Sequence, residues 1–313
     1  MLKSILGALF LFLGCTVFNS CVAYPPLVLE GKIVPDFQSL AEFLYGKEGL
    51  PRDARNLKAW NDWAQTHFLR PRNKDHMDIK DHPKDPRHNK LMKYFDNLGL
   101  INAVTPSKSQ YQAIVIFGGG PWNSRERMNY VQKLWEDGVR AEHIVYIGGH
   151  RKLSEKETLA HVLNEVKPYI PNRSGWVAPQ KVDLYENQAA KVVWDQIIVD
   201  DTLRSKLKIL TTHPKHDPVT GNFMRRANTE DTIIDFFKKY PKIKDVLFVS
   251  SAPYGPYQNE TVIKVLKEMK LHHVTAETVS DDLHMDATTL AFLDTLARRL
   301  YTIYQYSKQR SQK

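Results

Sequence analysis

The fold is decided by the stretch Ala113-Ile114-Val115-Ile116-Phe117-Gly118-Gly119-Gly120, in which an apolar, β-branched run passes directly into three glycines. The apolar run predicts a buried strand, and the glycines predict a turn at its carboxyl end. Similar runs recur along the chain and alternate with helical stretches, which is typical of a parallel sheet with crossover helices. We therefore predict an α/β fold with helices on both faces of a parallel sheet. The strands predicted after the first one are 143–147, 207–211, 246–250 and 273–276.

Helices are predicted between these strands from the spacing of their apolar residues. Residues 171–206 interrupt the alternation, so we predict an insertion there, with a helix at about 187–198. The last helix, at about 286–306, places a row of leucines on one face. The other predicted helices are 123–137, 154–166, 231–239 and 260–270.

The region ahead of the sheet, residues 24–105, has a different pattern. Apolar residues recur at helical spacing in 37–44 and 57–68, and no strand pattern is present. The polar segment 70–88, with three prolines and three histidines, predicts a long exposed loop. The sequence thus predicts a helical, loop-rich N-terminal region followed by an α/β domain over 106–313.

Residues 1–23 have the features of a secretory leader. Lys3 precedes the unbroken apolar run 5–13. The small residues Cys21 and Ala23 stand at the two positions that a signal peptidase reads ahead of a cleavage site before Tyr24. The apolar stretch is also close to the roughly 20 residues that span a bilayer. We expect export, which gives a periplasmic or secreted protein if this signal peptide is cleaved. An uncleaved signal anchor would instead hold the protein on the inner membrane.

Composition limits the chemistry further. Both cysteines, Cys15 and Cys21, lie in the leader, so a cleaved protein has no disulfide, thiol nucleophile or thiol-ligated metal. We expect no haem or flavin either. The net charge of +9 suits anionic partners, including a membrane surface or the cell wall. Because the basic residues are scattered and the protein is exported, nucleic acid is a poor candidate.

Two glycine turns follow neighbouring predicted strands, at residues 118–120 and 148–149. In an open parallel sheet, ligands bind at the carboxyl ends of the strands, so both turns fall where a site is expected. They would let a ligand approach the backbone and point free amide groups at phosphate or carboxylate. Neither turn is a GxGxxG or Walker loop, and no GxSxG occurs.

Arginines cluster on the same loops. The guanidinium group matches the geometry of phosphate and carboxylate oxygens. A surface ion pair is the more usual role of a single arginine, but a cluster of them on one sheet edge favours an anionic partner. Asn228 and Thr229 also suit a helix N-cap. The hydroxyls and aromatic rings of 250–257 suit a base or a sugar. The predicted ligand-binding residues are Gly118, Gly119, Gly120, Arg127, Gly148, Gly149, Arg151, Arg225, Arg226, Asn228, Thr229, Glu230, Ser250, Ser251 and Tyr254.

Histidines follow the third and the last predicted strands. His213, His216 and His284 are the candidates for a catalytic acid or base. With Asp217 and Asp286, they are also the candidates for metal ligands in a chain whose cysteines are removed. Pro214 and Lys215, between two of the histidines, argue against a compact metal site.

Six short motifs occur in one order: 113–120, Arg127, 147–149, 154–157, 227–231 and 249–251. Over about residues 110–280 this order resembles the YdcF/SanA/ElyC-type family. The resemblance implies a Rossmann-like domain, often in bacterial envelope proteins with an N-terminal hydrophobic segment, and a nucleotide-like or phosphorylated ligand. It implies no settled reaction.

This chain departs from the family pattern in three places. Residues 254–258 contain neither the His nor the Arg that the family commonly has there, Asp231 is followed by Thr232, and the insertion at 171–206 is long. The leading expectation is an exported envelope protein that binds an anionic small molecule or lipid-carrier headgroup. The alternatives are a phosphate-ester or pyrophosphate hydrolase, with or without a metal, and a non-catalytic envelope or partner-docking factor.

Overall fold

The computed structural model describes residues 24–70, 87–166, 170–283 and 287–308. Its strands are β1 (Val28–Leu29), β2 (Lys32–Ile33), β3 (Gln110–Phe117), β4 (Arg140–Gly149), β5 (Leu207–Thr212), β6 (Lys215–His216), β7 (Phe223–Arg225), β8 (Asp245–Ser251) and β9 (Thr275–Asp281). Its helices are α1 (Pro35–Tyr45), α2 (Leu57–His67), α3 (His88–Asn97), α4 (Pro121–Glu136), α5 (Leu159–Val162), α6 (Glu186–Gln196), α7 (Asp201–Lys206), α8 (Thr229–Lys239), α9 (Gly255–Glu268) and α10 (Thr289–Lys308).

The central sheet has five strands in the order β5-β4-β3-β8-β9, and each neighbouring pair is parallel. Numbered along the chain within the sheet, this order is 3-2-1-4-5, which is that of a Rossmann fold. The predicted α/β, Rossmann-like fold is therefore confirmed. Strand order reverses between β3 and β8, and a crevice opens at such a point beyond the carboxyl ends of the strands.

Helices cover both faces of the sheet, as predicted. Along β3, Ile114 and Ile116 join the core formed with α4 and α6. The alternate residues Val115 and Phe117 join the core formed with α8 and α9. Because successive side chains of a strand point to opposite faces, an apolar run of this kind needs helices on both sides.

The N-terminal helices share a separate core with α10. Phe37 and Trp60 pack at its centre, and Phe95 stacks on Phe292 of α10 with ring centroids 4.4 Å apart. Each buried aromatic side chain of this kind contributes about 1.5–3 kcal/mol. The prediction of no strand in this region is wrong, since β1 and β2 form a small antiparallel hairpin. Two-residue strands are too short to show a periodic pattern.

The connection from β4 to β5 differs most from the prediction. The helix expected over 154–166 is reduced to α5, because Glu157 turns inward and Asn164 adopts a left-handed φ of 62°. The crossover is instead carried by α6, which packs on α4 and lies within the segment expected to be an insertion. The last strand, β9, begins two residues later and runs five residues further than expected.

The predicted leader, residues 1–23, and most of the predicted loop 70–88 lie outside the described residues. Among the helices that the structure describes, none is long and apolar enough to cross a membrane.

Candidate functional site

A cavity of about 380 Å³ opens at the carboxyl ends of the strands, beside the point where strand order reverses. It is bounded by the loops after β3 and β4, the starts of α8 and α9, and one face of α10. Its lining contains five arginines and three carboxylates. Lining residues that were predicted are Gly118, Gly119, Gly120, Arg127, Gly148, Gly149, Arg151, Arg226, Asn228, Thr229 and Tyr254.

Four of the predicted ligand-binding residues do not line this cavity. Arg225 forms an ion pair with Asp231, and Glu230 forms one with Lys264 at 2.6 Å. Ser250 is buried and donates a hydrogen bond to Gln258. Ser251 accepts a hydrogen bond from Arg127 Nε at 3.2 Å, so it positions a lining residue without lining the cavity itself.

The glycine turns do not present free amide groups as expected. Gly118 N–H donates to the carbonyl of Ile147 at 2.7 Å, and Gly149 N–H donates to Glu186 Oε1 at 3.2 Å. The prediction is wrong at these two positions, because the protein supplies its own acceptors. At Gly149 that acceptor is a carboxylate, so an internal anion occupies the place expected for a ligand anion.

Close packing explains why two of these residues are glycine. A Cβ on Gly118 would lie 2.7 Å from both Gly148 Cα and the carbonyl oxygen of Ile147, and it would also meet Glu186. A Cβ on Gly120 would meet the carboxylate of Glu157. Gly118 is therefore required by the approach of backbone atoms, whatever the cavity binds, whereas at Gly120 the contact is with the end of one side chain, which its ion pair with Arg151 holds in place.

Arg151 is neutralised by two buried carboxylates. Its guanidinium donates to both oxygens of Glu157, at 2.7 and 2.8 Å, and to Glu186. Burial would lower the pKa of Arg151, but these hydrogen bonds and charges outweigh it and raise the pKa. Burial raises the pKa of Glu186, although Arg151 opposes the effect. Arg151 is thus part of an internal network rather than a free cation at the wall.

Arg127 is in the opposite situation. Its side chain is buried, and its hydrogen bonds go to neutral oxygens: the carbonyls of Phe117 and Gly118 and the hydroxyl of Ser251. Within the described part of the chain it forms no ion pair, and its Nη2 has no hydrogen-bond acceptor. Burial lowers the pKa of Arg127. The guanidinium also lies 5.9 Å from the ring centroid of Tyr254. The cavity wall therefore holds a buried cation with one nitrogen still able to donate.

Arg226 adds an exposed cation at the start of α8. Among residues 24–70, 87–166, 170–283 and 287–308, its side chain has no hydrogen bond or ion pair. Asn228 caps α8, which is the alternative role that the sequence predicted for it. Its Oδ1 accepts a hydrogen bond from Asp231 N–H, and Asp231 Oδ2 accepts one from Asn228 N–H, both at 2.9 Å. Asn228 caps α8 and lines the cavity at once.

Five lining residues with charged side chains come from segments outside the predicted site. Arg298 and Asp294, paired at 2.8 Å, belong to α10, and Arg70 belongs to the N-terminal region, a few residues after α2. Glu157 and Glu186 come from the β4–β5 connection. The local signals were the motif at 154–157, which contains Glu157, and the start of a predicted helix near Glu186. Their convergence depends on how the N-terminal region and α10 pack, which no short motif encodes.

Two of the predicted histidines, His213 and His216, do not line the cavity. His213 lies beside His150, with ring centroids 5.1 Å apart, and His216 belongs to the exposed β6–β7 hairpin. Asp217 accepts hydrogen bonds from the turn of that hairpin. His284 and Asp286 lie outside the described residues. The part of the chain that is described contains no group of three or more His, Cys, Asp or Glu residues able to hold a metal ion.

Comparison with models of known protein families finds no match to this chain, and comparison with curated proteins finds none either. The resemblance to the YdcF/SanA/ElyC-type family therefore stays a prediction. The molecule itself has a Rossmann-like sheet, and the wall of its switch-point cavity contains a buried arginine that forms no ion pair with the residues the structure describes.

Proposed function

We propose that this cavity binds a small anionic ligand, phosphorylated or nucleotide-like, in an exported envelope protein of the YdcF/SanA/ElyC type. The observation that carries the proposal is Arg127: a buried guanidinium on the wall of the switch-point cavity that forms no ion pair with any described residue.

The energetic reason lies in the cost of burying a charge. Removing an ion from water costs several kcal/mol, and neutral hydrogen-bond acceptors compensate for only part of it. Arg127 has such acceptors on two of its three nitrogens. A ligand oxygen at Nη2 would supply both the missing acceptor and the missing opposite charge. A phosphate group fits this requirement because it accepts charge-assisted hydrogen bonds.

Size and the other walls support a ligand larger than a bare ion. The volume of about 380 Å³ falls within the range of about 300–1,000 Å³ that is usual for small-molecule sites. Tyr254 and Tyr257 line the cavity and offer aromatic rings. A phosphorylated sugar or a nucleotide would use Arg127 and Arg226 for its phosphate and the tyrosines for its ring.

The test is thermal unfolding of the full chain with inorganic phosphate, pyrophosphate and a nucleoside monophosphate. A ligand at about 100 times its Kd stabilises a protein by about 2.7 kcal/mol, which is readily measured. Arg226→Gln should weaken the stabilisation, because Arg226 lines the cavity and has no ion-pair partner in the described part of the chain. Arg225→Gln is the matched control, because Arg225 is next to Arg226 in the chain but its side chain is held by Asp231 outside the cavity.

Arg127→Lys should weaken binding more strongly than Arg226→Gln, because lysine keeps the charge but loses the planar set of donors. If no anion stabilises the protein, or if Arg225→Gln and Arg226→Gln reduce the stabilisation equally, the proposed site is wrong.

A phosphate-ester or pyrophosphate hydrolase is the second candidate. It is favoured by Glu186, a buried carboxylate in the cavity lining that accepts hydrogen bonds on both oxygens and whose pKa burial raises, which suits a general base. Turnover of phosphate esters, measured with and without divalent cations, tests this candidate. Loss of turnover in Glu186→Gln with phosphate binding retained would support a hydrolase, whereas binding without any turnover would leave a non-catalytic envelope factor.

Export is part of the proposal. Tyr24, directly after the expected cleavage position, is buried, and its hydroxyl donates to Ser280 Oγ at 3.0 Å. This contact supports a folded protein that begins where the leader would end. A mass measurement of the mature N-terminus distinguishes a cleaved signal peptide from a retained signal anchor.

A further inference from the structure

The β6–β7 hairpin, residues 215–225, presents three apolar side chains to solvent beside the cavity. Val219, Phe223 and Met224 are 91%, 60% and 62% exposed. The hairpin joins β5 to α8, and the two residues that follow it, Arg226 and Ala227, line the cavity. The most exposed apolar residues of this part of the molecule are thus grouped on one projection next to the proposed site.

The hairpin holds these side chains in a defined turn. Asp217 Oδ1 accepts hydrogen bonds from the backbone N–H groups of Val219 and Thr220, at 3.0 and 2.7 Å. Gly221, with a φ of 71°, closes the turn by donating to the carbonyl of Asp217 at 2.8 Å. Because the turn satisfies its own backbone, exposure of Val219 at its tip is a feature of the fold.

Cations lie at the base of the hairpin. Lys215 and Arg225 are paired across the two strands, and both contact Asp231. Arg226 follows directly and has no ion pair within the described residues. The hairpin and its base thus carry three cations, Lys215, Arg225 and Arg226, against the two carboxylates of Asp217 and Asp231. A net positive charge below an apolar tip suits a surface that carries negative charge above an apolar layer.

We infer that this hairpin docks on the surface of an anionic phospholipid bilayer. Val219, Phe223 and Met224 enter the boundary between headgroups and acyl chains, and Lys215, Arg225 and Arg226 stay among the headgroups. A protein partner fits less well, since a stable interface buries about 1,200–2,000 Å² and these three side chains form only a small projection. Docking in this way turns the cavity mouth toward the headgroups.

The inference is tested with the full chain and two kinds of vesicle: phosphatidylcholine alone, and phosphatidylcholine mixed with phosphatidylserine. Co-sedimentation should be stronger with the mixed vesicles, by roughly fivefold for each cation that reaches the surface, and should weaken as salt is added. Phe223→Ser/Met224→Ser should lower partitioning at least about tenfold. The leader is present in every variant, so differences between variants report the hairpin.

Val219→Ser and Val177→Ser form the matched pair. Both valines are largely exposed, at 91% and 82%, but Val177 lies outside the hairpin. We expect Val219→Ser to reduce vesicle binding and Val177→Ser to leave it unchanged, with equal thermal stability of both variants. Hydrogen exchange should show protection of 215–225 on mixed vesicles. Equal binding by the two variants would overturn the inference.

Protection of the hairpin by inorganic pyrophosphate without vesicles would also overturn it, because the hairpin would then be a flap that closes over the cavity. This outcome is distinct from failure of the proposed anion site, which shows as an absence of pyrophosphate binding in the thermal assay.

Discussion

Replacing Gly118 by alanine tests whether the turn after β3 is a glycine because of the protein's own packing. A ligand-driven reading predicts that Gly118→Ala and Gly149→Ala both impair anion binding with little loss of stability. The close packing at Gly118 predicts that the two variants differ in the free energy of unfolding, since a Cβ is accommodated at Gly149 but not at Gly118. Neither glycine has a left-handed φ, so backbone strain does not enter the comparison.

The magnitude follows from the contacts. The new Cβ at Gly118 would lie 2.7 Å from two backbone atoms, which cannot rotate away as a side chain can. Overpacking costs about 1–3 kcal/mol, and contacts with backbone place this case at about 3 kcal/mol. At Gly149 the nearest atom is the carbonyl oxygen of Ala227 at 3.8 Å, an ordinary contact. Gly149→Ala should therefore change the free energy of unfolding by less than about 0.5 kcal/mol.

Urea unfolding of the full chain, followed by circular dichroism, measures both values. A loss of about 3 kcal/mol corresponds to a decrease in Tm of about 6–12 °C for a domain of this size. Adding Glu186→Ala to Gly118→Ala should restore little stability, because the backbone contacts remain. Equal stability of Gly118→Ala and Gly149→Ala, or full rescue by Glu186→Ala, would refute the packing argument.

Three further predictions concern single side chains. Arg151→Gln leaves the buried carboxylates of Glu157 and Glu186 unpaired and should lower the free energy of unfolding by about 3 kcal/mol. Arg226→Gln should change it by less than about 0.5 kcal/mol. Equal losses of the two variants in chemical denaturation would contradict the ion-pair network around Arg151. Burial would raise the pKa of Asp231, but hydrogen bonds from Arg225 and the α8 cap hold it below its ordinary value. The ionised Asp231 therefore stabilises the fold above its unfolded-state pKa, and this stabilisation is lost as pH falls through its folded-state pKa. The difference in free energy of unfolding between wild type and Asp231→Asn should be widest near neutral pH and should shrink in acid. A difference that stays constant with pH in urea titrations would exclude this linkage. Tyr24→Phe removes a buried hydrogen bond and should cost about 1 kcal/mol by thermal unfolding, while no loss would mean that this contact contributes nothing to stability.

Local patterns predicted the sheet well because a buried strand is specified by its own residues. Each of the five strands was expected from a β-branched run, and the start of α8 from the capping residues Asn228 and Thr229. The connection at 154–166 was predicted poorly. There Glu157 turns inward to bind Arg151, and that tertiary contact overrides the local preference for helix.

The candidate site was only partly predictable for a similar reason. Its place at the strand ends follows from the topology that the alternation of strands and helices implies. The partners of each charge do not, because Arg127 and Arg151 look alike in sequence and differ only in what surrounds them. Arg151 meets two carboxylates from a distant connection, and Arg127 meets neutral oxygens.

The sequence by itself determined the α/β class, the position of the cavity and the clustering of arginines around it, since these depend on the order of elements and on residues next to strand ends. Only the tertiary structure decided which glycines serve internal packing, which arginines are neutralised and which residues of α10 complete the wall. Electrostatic partners and close contacts come from segments far apart in the chain, and their meeting is a property of the packed molecule.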